Sequence, residues 1–346
     1  MKIALVLLLV ASTAVAQTSD SAIAEAVTLM DSGHIDEAIA KLKQVLVDEP
    51  SSVSARYELA LAYSQKGEAA LCRDTVQPIT STAGPLQAGA LTTLATCFDQ
   101  LGDSKKAIEA YRRALRLAPD DAQVNFNLAV TLAQNGNLPE AREIAKHGAE
   151  KNPWHASAHL LLAKVFDAEG FMVPAAYSYM HFLALEPVSP RATEAATALR
   201  ELLGRGLKKT AEGGNITIDP NAPKDEGDFT PLALGIAMAA AVQTTEENVN
   251  KSEFEHLRSM LVHDVKIFIE MNEKTSGNYT IDVHRPFFTA MDRANVLDAF
   301  AATAISSLHL PGAEEWAKAN EKSMEAYLDW IRPQRRPPAI ALPAKQ

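Results

Sequence analysis

His155 and His159 stand four residues apart at an expected helix start, a spacing that can set two imidazoles on one metal ion. No acid lies between them as in the metalloproteases, and Asp167 is two turns further on, so a structural or solvent-facing role is expected. His256 and His263 share a helix face with Glu255 and Asp264 nearby, but no third ligand is evident. Asp282, His284 and Arg285 precede Phe287 and Phe288 and read as a solvated helix start rather than a polar pocket. The stretch Asn215–Phe229, NITIDPNAPKDEGDF, carries Asp219, Asp225, Glu226 and Asp228. A helix–loop–helix calcium site started at Asp219 puts Pro223 where an oxygen ligand belongs and Lys224 where glycine belongs. The stretch therefore reads as a connector, with Ile216 and Ile218 packing as a short extended strip. No metal and no cofactor is assigned. A nucleophile elbow, a phosphate-binding loop and a dinucleotide fingerprint are all absent from the sequence, so catalysis is not supported.

Cys72 and Cys97 are the two cysteines of the chain. They could form a disulfide across neighbouring helices or remain two buried thiols. A bridge would close a loop of about 25 residues, worth roughly 3.5 kcal/mol in the chain-entropy model. The opening MKIALVLLLVASTAVAQ has one basic residue, a short apolar run and Ala14-Val15-Ala16, the pattern of a secretory signal peptide cut after Ala16. Its apolar run is too short to span a bilayer, as is Leu232–Val242, which reads as a buried helix. The expected mature protein is exported, periplasmic or secreted, and is not an integral membrane protein. A net charge of −10 argues against nucleic acid and against anionic lipid.

These residues must be positioned by helices, because the first half of the chain is periodic. Gly33, Gly67, Gly102, Gly136 and Gly170 step by 34, 35, 34 and 34 residues. Ala26, Ala60, Ala95, Ala129 and Ala163 keep the same steps, and Pro50, Pro85, Pro119, Pro153 and Pro187 place the one insertion between Cys72 and Pro85, beside Pro78. In one unit Leu91, Leu94, Ala95 and Phe98 form an apolar stripe, Gly102 stops the helix, and Asp103 or Ser104 caps a second. That second helix faces the first with Ala107, Ile108, Tyr111, Ala114 and Leu115, and Pro119 ends the unit. Small Ala95 and Ala107 let the two backbones approach. Ser189-Pro190 starts one further helix that covers the last exposed face.

The pattern Leu94, Ala95, Phe98, Gly102, Ala107, Tyr111, Ala114 and Pro119 resembles the signature of the tetratricopeptide repeat family. The resemblance runs from about Asp20 to Pro187 and implies an all-α fold: about five helical hairpins plus a capping helix, wound into a superhelix with a concave groove. The groove would be lined by Tyr57, Leu61, Thr92, Thr96, Asp99, Phe126, Val130, Gln134, Leu160, Lys164 and Asp167. The lysines and asparagines with which some family members clamp a carboxylate-ended peptide are missing there, so that activity does not carry over. A neutral, partly aromatic groove suits an amphipathic helix or an extended apolar segment.

The expected organisation is a signal peptide over 1–16, repeats over 17–205, a linker over 206–230, a compact all-α domain over 231–332 and a disordered tail over 333–346. A non-enzymatic scaffold with a protein or peptide ligand is expected. The alternative is an enzyme whose site lies in the C-terminal helical domain, with the repeats recruiting its substrate.

Overall fold

The computed structural model describes residues 19–205, 207–210, 213–216, 222–243, 245, 248, 250–271 and 278–333. The expected signal peptide, Ile218, Asp219 and the tail from residue 334 onward lie outside the described residues. Among the described residues the fold is all-α apart from one two-stranded hairpin. It divides into two compact units, one ending at Ile144 and one beginning at Ala145.

The first unit is a run of antiparallel helix pairs. Helix α1 (residues 19–31) is followed by α2 (Ile35–Asp48), α3 (Val53–Lys66), α4 (Ala69–Val76), α5 (Gln87–Gln100), α6 (Ser104–Leu117), α7 (Ala122–Gln134) and α8 (Leu138–Lys151), the last of which crosses into the second unit. The periodic glycines land on one backbone conformation. Gly33, Gly67, Gly102 and Gly136 have φ of 81°, 79°, 77° and 78°, and Gly170 in the second unit has 85°. Nothing lies within 4 Å of a Cβ built on the first four, so glycine is required there by the left-handed turn and not by crowding.

Caps come from side chains as the spacing predicts. Asp103 accepts from the Lys106 amide, Asp121 from the Gln123 and Val124 amides, and Ser52 from the Ala55 amide. Ala95 and Ala107 are fully buried, with Tyr111 and Leu91 filling the space beside them. The insertion acts where Pro78 stands: α4 stops at Val76 and a 3-10 turn, Gln77–Ile79, takes over. Cys72 on α4 and Cys97 on α5 are joined by a disulfide, with Cα atoms 5.9 Å apart.

The second unit continues with α9 (Ala156–Ala168), α10 (Met172–Leu185) and α11 (Pro190–Gly204), which Ser189 caps through the Ala192 amide. Strands β1 (Leu207–Thr210) and β2 (Gly213–Ile216) pair antiparallel with Leu207 opposite Ile216. Next come α12 (Thr230–Val242) and α13 (Glu253–Glu270), the latter opened by a capping box of Ser252 and Glu255. A π-helical turn, Thr280–His284, runs into α14 (Arg285–Arg293), and α15 (Leu297–Ala304), α16 (Ala313–Ala319) and α17 (Glu321–Ile331) close the unit.

Helix α10 explains why the compact units do not divide where the period ends. Every residue from Val173 to Leu185 is buried, because α9, α11, α12 and α15 all pack on it. Tyr177 donates to the Asp264 carbonyl at 2.9 Å and Tyr327 to the Ala184 carbonyl at 3.2 Å, tying α10 to α13 and α17. The last repeat pair thus shares its core with helices that have no repeat spacing.

Two expectations are corrected in detail. Leu232–Val242 is helical but not buried all round, since Leu234, Met238 and Val242 are exposed. The final helix expected over Ala313–Ile331 is broken at Asn320 into α16 and α17. Two acids of the connector are engaged by lysines, as its reading as a connector allows: Glu226, almost fully buried, accepts from Lys146 at 2.9 Å, and Asp228 accepts from Lys224 at 2.8 Å.

Candidate functional site

In the first unit, the first helices of successive pairs present a shared face. There Tyr57 and Leu61 on α3, Thr92 and Thr96 on α5, and Gln123 and Asn127 on α7 border a pocket of about 320 Å³. The helical spacing of the sequence found four of these. Ser64, Gly89, Thr93, Asp121 and Val124 also line it, and the spacing singled out neither these nor Gln123 and Asn127. Burial, with the Glu58 and Asp121 charges adding, raises the Tyr57 hydroxyl above its ordinary pKa, so it stays a donor.

The hydroxyls of the threonines are tied back to the helix: Thr92 donates to the Ala88 carbonyl at 3.0 Å and Thr96 to the Thr92 carbonyl at 3.1 Å. Asp99 accepts from Thr131 at 2.7 Å, and burial raises its pKa against the hydrogen bonds from Thr131 and Tyr111. Phe126 and Val130 are half-buried and Gln134 is exposed, all outside the pocket lining.

In the second unit, Leu160 is only 6% exposed, so it belongs to the core and not to an open face. Lys164 lies 3.6 Å from Glu194 and Asp167 is paired with Arg205. Both charges are therefore engaged by residues of α11 or just beyond it.

The second unit also gathers residues that spacing did not connect. His284, expected at solvent, and His159, expected in a structural or solvent-facing role, are both fully buried, and His181 on α10 joins them. The three imidazoles offer nitrogens within 4.8 Å of one another. The His159 and His181 rings stack at 3.8 Å between centroids, and Phe287 stacks on the other side of His181 at the same separation. His159 Nε2 donates to the Pro153 carbonyl at 2.8 Å, which leaves its Nδ1 to accept from the Tyr279 hydroxyl at 3.3 Å. His181 and His284 share one proton between their Nδ1 atoms at 3.0 Å, and His284 Nε2 meets the Ser178 hydroxyl at 3.2 Å.

Burial dominates the titration of all three. It holds His159 down to about 4 and the other two well below the ordinary imidazole value, so all are neutral at pH 7.

Neutral imidazoles are what a transition metal requires, but these lone pairs do not converge. A metal ion needs its ligands aimed at one point. Here two rings lie parallel, and of the cluster's ring nitrogens only His181 Nε2 lacks a partner. As placed, the cluster is a hydrogen-bonded stack and not a ligand set. Ser178 is fully buried, so its bond to His284 is not a nucleophile–base pair open to a substrate. The sequence signal for the cluster was His181 itself, a lone imidazole inside the apolar run MVPAAYSYMHFLAL.

His256 on α13 uses its Nε2 on the Asn248 carbonyl at 2.9 Å, and His263 is exposed. The two form no site with Glu255, which caps the helix instead.

No curated protein matches the chain. Among solved structures, the chain resembles PilF of Pseudomonas aeruginosa at 19% identity and a TM-score of 0.47, covering 55% of this chain and 88% of that one. It resembles a thermophilic TPR protein of Thermus thermophilus at 17% identity and a TM-score of 0.44, covering 54% and 98%. YrrB, described as a TPR protein with an unusual peptide-binding site, is similar at 21% identity and a TM-score of 0.42, covering 51% and 90%. Residues 28–67 match a family model described as TPR repeat and residues 92–153 one described as tetratricopeptide repeat. Residues 28–67 and 92–153 thus carry tetratricopeptide repeats.

Proposed function

We propose that this chain is an exported, non-enzymatic scaffold that holds a protein or peptide against the shared face of its repeats. The observation that supports the reading is the pocket among α3, α5 and α7, lined by Tyr57, Leu61 and Asn127 among others. An apolar side chain of an amphipathic helix or an extended segment fits against such a surface, with polar groups at its margin to fix its register. A double variant, Tyr57→Ala/Leu61→Ala, should lose partner capture from the native envelope while remaining folded; undiminished capture counts against the reading.

Export is part of the proposal. It draws on the signal-like first residues and on the Cys72–Cys97 disulfide, a bond that persists in oxidising compartments. Terminal sequencing of the protein purified from its host should give Gln17 as the first residue. An intact Met1 in the purified protein would contradict the cleavage. Among the described residues no helix is long and apolar enough to cross a membrane.

A further inference from the structure

The second unit holds a pocket of about 670 Å³, within the range of small-molecule sites. Three of its walls are aromatic. The Trp154 and Phe287 rings lie 6.1 Å apart and the Phe287 and Trp330 rings 5.7 Å apart, at inclined angles of 58° and 59°. Glu150 and Asp282 also line it, and among the described residues no lysine or arginine does. The remaining polar residue of the lining is His181, 1% exposed, whose Nε2 has no hydrogen-bond partner.

We propose that this pocket binds a small organic ammonium ion, its charge set among the faces of Trp154, Phe287 and Trp330 and beside the Glu150 and Asp282 carboxylates.

Each part of the lining selects for that chemistry. Aromatic faces carry negative potential and attract a desolvated cation. Two carboxylates at the same pocket disfavour an anion.

Burial keeps His181 neutral at pH 7, so it does not repel the guest. The site lies apart from the repeat pocket and does not depend on the scaffold reading.

The test uses the full chain and two probes of one shape, phenethylamine and phenethyl alcohol, followed by tryptophan fluorescence. Trp154 and Trp330 report from the pocket, whereas Trp316 packs on Phe254 and Arg258 elsewhere. The amine should give a saturable change and bind about tenfold tighter than the alcohol, the scale of one desolvated cation–π contact. Glu150→Gln should weaken the amine severalfold and leave the alcohol unchanged, and Trp154→Leu should weaken both. Should Trp154→Leu not fold, Trp330→Leu serves in its place. Equal binding of the two probes, no saturable change, or amine binding indifferent to these variants would overturn the proposal.

Discussion

The ring of Tyr57 lies over Gly89: a Cβ built on that glycine would stand 2.9 Å from the Tyr57 hydroxyl and 3.3 Å from its ring carbons. The neighbour that must give way is the far end of a side chain and not backbone, so alanine can be accommodated by turning the ring. The helix itself favours alanine over glycine by up to about 1 kcal/mol. Gly89→Ala should therefore leave the unfolding free energy unchanged or raised, while moving Tyr57 and weakening partner binding severalfold. Urea denaturation alongside a binding titration separates the two effects. A variant that binds as well as the parent would show that Tyr57 does not set the shape of the groove.

The Cys72–Cys97 bond links the shortened helix α4 to α5. Reduction, or the Cys72→Ala/Cys97→Ala pair, should lower the unfolding free energy by about 3 kcal/mol, since the released loop regains its chain entropy. Denaturation with and without reductant measures the loss. Alkylation of the unreduced, unfolded protein followed by mass spectrometry should find no labelled thiol.

Acid should loosen the second unit. His159 has a folded pKa of about 4 because burial disfavours its charge, whereas an unfolded histidine titrates near 6.5. The unfolded chain therefore binds the proton first as pH falls. Stability is present above about pH 6.5 and is lost progressively down to about 4, by about 3 kcal/mol from His159 alone. His181 and His284 are shifted in the same direction and add to the slope. Unfolding free energies measured across this window should fall steeply, and His159→Gln should flatten the fall.

Asp264 works in the opposite sense. It is fully buried on α13, neither carboxyl oxygen has a hydrogen-bond partner, and burial pushes its pKa up to about 8. The folded state therefore holds a proton that the unfolded carboxyl releases near 3.9. This contribution is fully present below about pH 4 and is lost as pH rises through about 8. Together with the histidines it sets a stability maximum near neutrality. Asp264→Asn, neutral at every pH and of the same shape, should remove the decline between pH 6.5 and 8 and raise stability at pH 8 by several kcal/mol. An unchanged alkaline limb in that variant would show that Asp264 is ionised in the folded protein.

The repeats were legible because their determinants are local. Gly102 must turn left-handed and Ala107 must admit a neighbouring backbone wherever the next hairpin goes, so both recur at a fixed distance. Pro78 marked the insertion for the same reason. The histidine cluster was hidden because it is assembled by tertiary packing: His181 and His284 are 103 residues apart. The i, i+4 pair His155 and His159 drew attention to the right helix for the wrong reason, since His159 points into the core and bonds Tyr279 instead of pairing with His155. Leu160 was misplaced because a helix that is apolar on several faces gives no period from which to read its inner side.

Repeat arrays lengthen during evolution by duplicating a hairpin at an open end, where the new copy inherits a ready-made greasy flank. Helix α10 has no such flank to offer, being wrapped on every side. At this end, then, the array is a finished count: a sixth hairpin could not be spliced in after Pro187 without evicting α11 from its seat on α10.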